Sequence, residues 1–243
     1  MTPATLTQRL LDLLYPPRCA GCGRGGDWYC GHCRTQTLPV PAPFCQRCGQ
    51  PLATGDCRSC AIAPPLAQTV RAATLFEGPI RQAIHRLKYS NLTAVAPDLS
   101  QLLVDACRET AWSAEVIVPV PLHPARQRWR GYNQAERLAR PLAKALGIPL
   151  APQALQRVRA TADQIGLDPE GRRANVLGAF AVAQAAIVAG RSVLLIDDVA
   201  TTGCTLDACA AALLGSGAAG VNALVLARRS LDDERRTTVK GQP

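Results

Sequence analysis

Four Cys-x-x-Cys pairs crowd the start of this chain: Cys19–Cys22, Cys30–Cys33, Cys45–Cys48 and Cys57–Cys60. Each pair presents two thiolates to one ion, and a structural zinc site takes four in a tetrahedron. The eight cysteines therefore predict two Zn2+ ions. Glycines beside the pairs, including Gly21, Gly23, Gly49 and Gly55, supply the permissive backbone that such turns need. Sequential pairing is the simplest assignment, with the first two pairs on one ion and the last two on the other. A cross-braced arrangement, with pairs one and three against two and four, stays open. A disulfide framework is the competing reading, but it suits a secreted chain, and a redox site uses one such pair. His32, between Cys30 and Cys33, is not needed as a ligand where four thiolates are present.

The chain has 243 residues, enough for one ordinary domain and a small one. Hydrophobic residues reach 48% and charged residues 19%, so a substantial core is expected. No apolar run is long enough to span a bilayer, and the apolar start is broken by Arg9 and Asp12, unlike a signal peptide. A cytoplasmic protein without membrane insertion is expected. The formal charge of +9 rests on 27 Lys and Arg, of which Lys88, Lys144 and Lys240 are the lysines. Two Zn2+ on eight thiolates would bring it to about +5. Arginine suits bidentate contact with phosphate, which permits nucleic acid or phosphorylated ligands as partners.

Composition divides the chain into a metal module over residues 1–63 with an N-terminal helix, a second domain over 69–229, and a polar tail over 230–243. The stretch 61–68, with Pro64 and Pro65, reads as the linker. Beyond it the pattern alternates. Strands are expected at 70–76, 116–120, 179–182, 193–196 and 221–226. Helices are expected after Pro79, over 91–112, over 135–146 with Gly147 as the stop, and over 206–214. This βαβα order predicts an α/β fold with a mostly parallel sheet between helices.

The sharpest motif is VLLIDDVATTGCT at 193–205. A buried strand ends in Asp197 and Asp198, a loop of threonine and glycine follows, and then a helix begins. Ligands in open α/β sheets bind at the carboxyl ends of the strands, and a helix N-terminus attracts phosphate. Gly203 lets backbone approach, and Thr201, Thr202 and Thr205 add hydroxyl donors. Two carboxylates that accept from a diol, next to a phosphate cradle, describe a ribose 5-phosphate. A Walker-type ATPase would need a G-x-x-x-x-G-K-[ST] loop, which the sequence lacks. In a second segment, Arg126, Arg128, Trp129, Arg130 and Tyr132 interleave charge with aromatics. That pattern suits single-stranded DNA, with arginines on phosphates and rings on bases. The alternative is that Trp129 packs on the ribbons and the arginines serve a diphosphate alone.

The 193–205 string resembles the phosphoribosyl-pyrophosphate signature of type I phosphoribosyltransferases. VPVPLHPARQRWRGYNQAERLA at 118–139 and FEGPIRQAIHRLKYSN at 76–91 resemble the ComF/GntX family of competence-associated, phosphoribosyltransferase-like proteins. So does the series Thr161, Gln164, Leu167, Arg172, Asn175, Gly178, Ala179 and Phe180. That family carries an N-terminal double zinc ribbon. The resemblance implies a type I phosphoribosyltransferase-like parallel sheet with a small zinc-ribbon module. It implies Asp197 and Asp198 on the ribose hydroxyls as the catalytic pair, and Ala200, Thr201, Thr202, Gly203, Cys204 and Thr205 around the 5-phosphate. Cys204 falls at the variable position and is no nucleophile. Val120, Pro121 and Leu122 would line the pyrophosphate, with Mg2+ bridging ligand oxygens. A cover loop is one reading of 159–178, a plain surface loop the other. The implied role is binding of phosphoribosyl pyrophosphate in DNA uptake or single-stranded DNA processing during natural transformation, alongside other DNA-uptake proteins. The other implied role is transfer of ribose 5-phosphate to an unidentified acceptor with release of pyrophosphate.

Overall fold

The longest apolar strand fixes the architecture. In the computed structural model, which describes residues 16–53, 55–160, 171 and 175–229, that strand alternates its side chains between two separate cores. In chain order the elements are α1 (Gly31–Thr35), α2 (Arg58–Ile62), β1 (Thr69–Leu75), α3 (Gly78–Tyr89), α4 (Ala96–Arg108), β2 (Val116–Pro119), α5 (Pro124–Arg130) and α6 (Gln134–Leu146). They continue with β3 (Leu155–Arg157), β4 (Phe180–Val182), α7 (Ala185–Val188), β5 (Ser192–Ala200), α8 (Cys204–Gly215) and β6 (Gly220–Arg228). The main sheet is parallel throughout, in the order β1-β6-β5-β2.

Period-two alternation sends neighbouring strand residues to opposite faces. Leu194, Ile196, Leu224 and Leu226 join Ile80, Ile84, Leu87, Leu99 and Leu103 on one face. Val193, Leu195, Ala223 and Val225 join Leu206, Cys209 and Leu213 on the other. Helices thus cover both faces, as the near-continuous apolar runs of β5 and β6 require.

α3 begins with Pro79 in its first turn and buries Ile80, Ala83, Ile84 and Leu87 at helical spacing. α6 is capped by the Asn133 side chain, which accepts from the Ala135 N–H, and closes on Gly147 in the left-handed region.

Three local expectations change. The helix expected over 91–112 is shorter. Asn91 adopts a positive φ of 52°, a 3-10 turn spans Thr93–Val95, and α4 starts only at Ala96. The strand at Phe180–Val182 leaves the main sheet and pairs antiparallel with Leu155–Arg157. That partner is too short to show a period in sequence. The expected linker begins later, because Ala61 and Ile62 finish α2. The N-terminal helix, the tail from 230 and most of the 159–178 segment lie outside the described residues. Among the described residues no helix is long and apolar enough to cross a membrane.

The cysteine-rich segment packs directly on the sheet. Cys19, Ala20, Tyr29 and Cys33 share the core of α3 and α4. Arg86 donates to the Cys19 carbonyl at 2.8 Å, and Arg34 pairs with Asp98 at 3.3 Å. The second half braces edge strand β1. The Val70 N–H donates to Arg47 O at 2.7 Å, and the Leu75 N–H to Leu38 O at 2.8 Å. Covering an edge in this way satisfies donors that would otherwise invite foreign strands. Gly49 sits at this seam with φ +71°, and a Cβ there would lie 2.6 Å from the Val70 carbonyl oxygen. Gly23 has the same handedness in the first half, φ +81°, with open space around it.

These two glycines make a matched test. Both alanine variants carry the left-handed penalty, and only Gly49→Ala adds overpacking, worth roughly 1–3 kcal/mol. Gly49→Ala is expected to melt some ~4–8 °C below Gly23→Ala in a calorimeter. Equal melting temperatures would show that the seam is not tightly packed.

Candidate functional site

The buried strand β5 runs further than its sequence suggests. It passes through both acids to Ala200, with Asp197 opposite Val225 and Ala200 opposite Arg228. Asp197 and Asp198 therefore lie within the strand and not beyond its end; they lean towards different neighbours, yet their carboxyl groups still interact with each other. Asp198 follows Leu194 and Ile196 towards α3 and α6. Its carboxylate forms an ion pair with Lys88 and a hydrogen bond with Gln134. Asp197 follows Val193 and Leu195 towards Arg157 and Cys209. Both are buried, and the Asp198 N–H donates to Asp197 Oδ1 at 2.8 Å.

Burial penalises a carboxylate's charge, and only a partner offsets that. For Asp198, burial pushes up, but the adjacent Lys88 ammonium outweighs it and holds the carboxyl below its usual range. For Asp197, burial and then the Asp198 charge push the carboxyl well above its usual range. In the free protein these opposite directions favour the protonated form at Asp197 and the ionised form at Asp198.

Beyond Ala200 the chain turns at Gly203, φ +86°, and enters the twelve-residue helix α8. A left-handed turn of this kind favours glycine, and a Cβ at Gly203 would meet nothing within 4 Å. The turn faces open space. Thr201, Thr202 and Gly203 are half-buried, and Thr202 Oγ1 lies 3.1 Å from Cys204 Sγ. The Arg229 N–H donates to the Ala200 carbonyl at 3.0 Å, tying the turn to the end of β6. α8 starts at this corner, and a helix start carries the positive end of the helix dipole.

β2 ends alongside. The Val120 N–H donates to Ile196 O at 2.8 Å, and Asn133 Nδ2 to Val120 O at 2.9 Å, which fixes the short Val120-Pro121-Leu122 segment against β5. Pro121 and Leu122 are buried. α5 follows, with Arg126 and Arg128 exposed and Trp129 73% exposed, so Trp129 does not pack on the ribbons. Tyr132 departs from the sequence expectation. Its ring is buried and its hydroxyl donates to the Leu87 carbonyl, so it offers no stacking face. Arg130 is turned inward, over the Tyr89 ring and donating to Gln134 Oε1. Arg130, Gln134, Asp198 and Lys88 thus form one connected network.

Lys88, Gln134 and Arg157 are the site residues that sequence reasoning did not assign. Lys88 alone left a trace, as one of three lysines in an arginine-rich chain. A hollow of about 330 Å³ opens at the other end of β2, lined by Val116, Leu150, Gln153, Gln184, Ile187 and Arg191. It lies away from the carboxyl ends of the strands, where ligands of such sheets bind.

The cysteines gather sequentially: Cys19, Cys22, Cys30 and Cys33 in one group, Cys45, Cys48, Cys57 and Cys60 in the other. Cross-bracing is thereby excluded. Sulfur separations of 3.5 Å (Cys19–Cys33), 3.7 Å (Cys22–Cys30), 3.6 Å (Cys45–Cys60) and 3.5 Å (Cys48–Cys57) match the roughly 3.8 Å edge of a tetrahedron with ~2.3 Å Zn–S bonds. At Cys19, burial raises the thiol, but backbone N–H groups of Cys30, Cys22 and Gly21 bring it down to about 6. The two groups fit two structural Zn2+ ions.

Residues 10–62 match the double zinc ribbon domain, and residues 133–240 the phosphoribosyl transferase domain. The chain is 35% identical over 211 residues to the DNA utilization protein YhgH of Escherichia coli K12, covering 84% of this chain and 92% of that one. It is 34% identical over 203 residues to competence protein F of Haemophilus influenzae, covering 78% and 87%. It is 26% identical over 235 residues to competence protein ComFC of Bacillus subtilis, covering 92% and 90%.

Two expectations follow from the site. Native mass spectrometry should find two zinc ions per chain, and chelation should lower the melting temperature. Metal-free protein with unchanged melting would remove zinc from the account. Asp197→Asn replaces a carboxyl whose charge burial disfavours and should leave stability at pH 7 within about 0.5 kcal/mol. Asp198→Asn strands Lys88 and should cost about 2 kcal/mol, or ~4–8 °C. Because the Asp198 carboxyl is held low, its contribution is present above the usual carboxylate range and fades as pH falls through its lowered value. Greater damage from Asp197→Asn at pH 7 would reverse the charge assignment.

Proposed function

The chain belongs to the family of the YhgH and competence F proteins, and on that premise we propose that it binds phosphoribosyl pyrophosphate at the carboxyl ends of β5 and β2 and serves the handling of single-stranded DNA in the cytoplasm. One observation carries the reading. Two adjacent buried carboxyls stand just before a left-handed glycine turn that opens onto a helix N-terminus. Diol acceptors and a phosphate cradle in that order suit a ribose 5-phosphate.

In this reading Asp197 and Asp198 take the ribose hydroxyls, and residues 200–205 take the 5-phosphate through N–H groups and threonine hydroxyls. The Val120–Leu122 segment carries the pyrophosphate, with Arg126 and Arg128 raising the local potential. Lys88 is a positioning residue that keeps Asp198 ionised and turned towards α3. Among the described residues only the cysteines gather in metal-holding groups of three or more. Asp197 and Asp198 are the residues that would stand by a ligand-borne Mg2+, an ion that prefers few carboxylates and several phosphate oxygens. When bound, Mg2+ neutralises diphosphate charge. The names of the relatives, DNA utilization and competence, support a role in DNA uptake alongside other uptake proteins. The exposed Arg126, Arg128 and Trp129 support contact with a single strand.

Calorimetric titration with phosphoribosyl pyrophosphate and Mg2+ tests the site. Asp197→Asn with Asp198→Asn should weaken binding about a hundred-fold, and Thr201→Val with Thr202→Val about ten-fold without loss of fold. Undiminished affinity in both variants would remove the site. Pyrophosphate release that rises with one added base, amine or nucleic acid would make the protein a transferase as well.

A further inference from the structure

α3 carries a row of groups that the ribose-phosphate site leaves unused. The Phe76 and His85 rings stack with centroids 6.0 Å apart and planes 28° apart. His85 and Tyr89, one helical turn apart, follow at 5.8 Å and 59°. An arginine closes each end: Arg229 lies 5.6 Å over Phe76, and Arg130 5.5 Å over Tyr89. Phe76 is buried, whereas His85 is exposed and Tyr89 is 64% exposed.

A lone exposed tyrosine is ordinary. Here the exposed rings are held from behind, His85 by Phe76 and Tyr89 by Arg130, so their orientation is set before any partner arrives. Preset planar surfaces bind with less ordering loss. Cations surround them. Partial desolvation first, then the charges of Arg81, Lys88 and Arg229, lower the His85 imidazole from its ordinary value, which favours the neutral ring. Lys88, between His85 and Tyr89 in sequence, reaches Asp198, so the row passes beside the carboxyl pair.

We propose that His85 and Tyr89, backed by Phe76 and Arg130 and flanked by Arg81 and Arg229, form a stacking platform on which single-stranded DNA lies beside the ribose-phosphate site. Every base has a π-face, so stacking is tolerant of sequence, while arginines meet the phosphates. A duplex hides its base faces and would not use these rings. The choice of DNA rests on the functional reading above. The platform itself rests on ring geometry and charge.

The test compares two labelled oligomers of ~12 nucleotides, oligothymidine and an abasic strand with the same phosphates, by fluorescence anisotropy. The intact protein should prefer oligothymidine by about ten-fold or more. His85→Ala with Tyr89→Ala should erase that preference and leave phosphoribosyl-pyrophosphate affinity and melting temperature unchanged. Alanine suits these helical positions, so the variant should fold. Arg126→Ala with Arg128→Ala should weaken both oligomers alike, since those arginines are expected on phosphates. A preference that survives in the ring variant, or no preference in the intact protein, overturns the platform and leaves the wider reading standing. No binding of either oligomer overturns the platform and the single-strand role together, and leaves the ribose-phosphate site to its own titration.

Discussion

The carboxylate of Asp198 and the ammonium of Lys88 meet where a buried strand would otherwise stop being apolar. That pairing is what allows β5 to run two acids through the interior of the sheet. An ionised carboxylate without a partner there would neutralise itself or break the strand. Burial pushes Asp197 towards the first course, and Asp198 is held from either because α3 delivers Lys88 to it. The helix can deliver it because Ile80, Ile84 and Leu87 seat α3 on the same face of the sheet. The chemistry of the corner thus depends on hydrophobic packing one turn away. The same helix then presents Tyr89 and His85 outward, so one element serves the interior and the surface.

The zinc ribbons belong to this arrangement as well. The first shares its core with α3 and α4, and Arg86 of α3 reaches the Cys19 carbonyl. The second lies along β1, and the buried Arg228 at the end of β6 donates to the Cys48 carbonyl. Arg228 is the strand neighbour of Ala200, where the phosphate turn begins. Burial lowers the Arg228 guanidinium, and the nearby cysteine thiolates oppose that change. The cysteine loops therefore brace both the helix that supplies Lys88 and the strand end beside the turn. A structural metal site contributes folding energy only when its ligands are brought together, so the ribbons and the sheet support each other.

Much of this was legible in the sequence because the signals were local. Cysteine spacing marked both metal groups, and the run at 193–196 marked the central strand. The glycine and threonines after it marked the turn. What was not legible depended on contacts distant in sequence. Nothing near Lys88 points to Asp198, because the ion pair forms across the sheet. In sequence the strand ends at its acids, because charge normally ends a buried run. The pairing of Asp197 with Val225 shows that the partner strand carries it on. Tyr132 looked like part of an exposed aromatic-basic face, yet it turns inward to the Leu87 carbonyl while Trp129, three residues earlier, stays in solvent. Only the last residue of the seven-residue helix α5, Arg130, and the left-handed Gly131 lie between them, and no pattern that short fixes which ring faces out.

The most direct measurement is a crystal structure of the protein with phosphoribosyl pyrophosphate and Mg2+. The account predicts the 5-phosphate in the turn around Gly203, within hydrogen-bond distance of the first N–H groups of α8, with the ribose hydroxyls against Asp197 and Asp198. A ligand bound elsewhere, or a ribose ring turned away from both carboxyls, would contradict it.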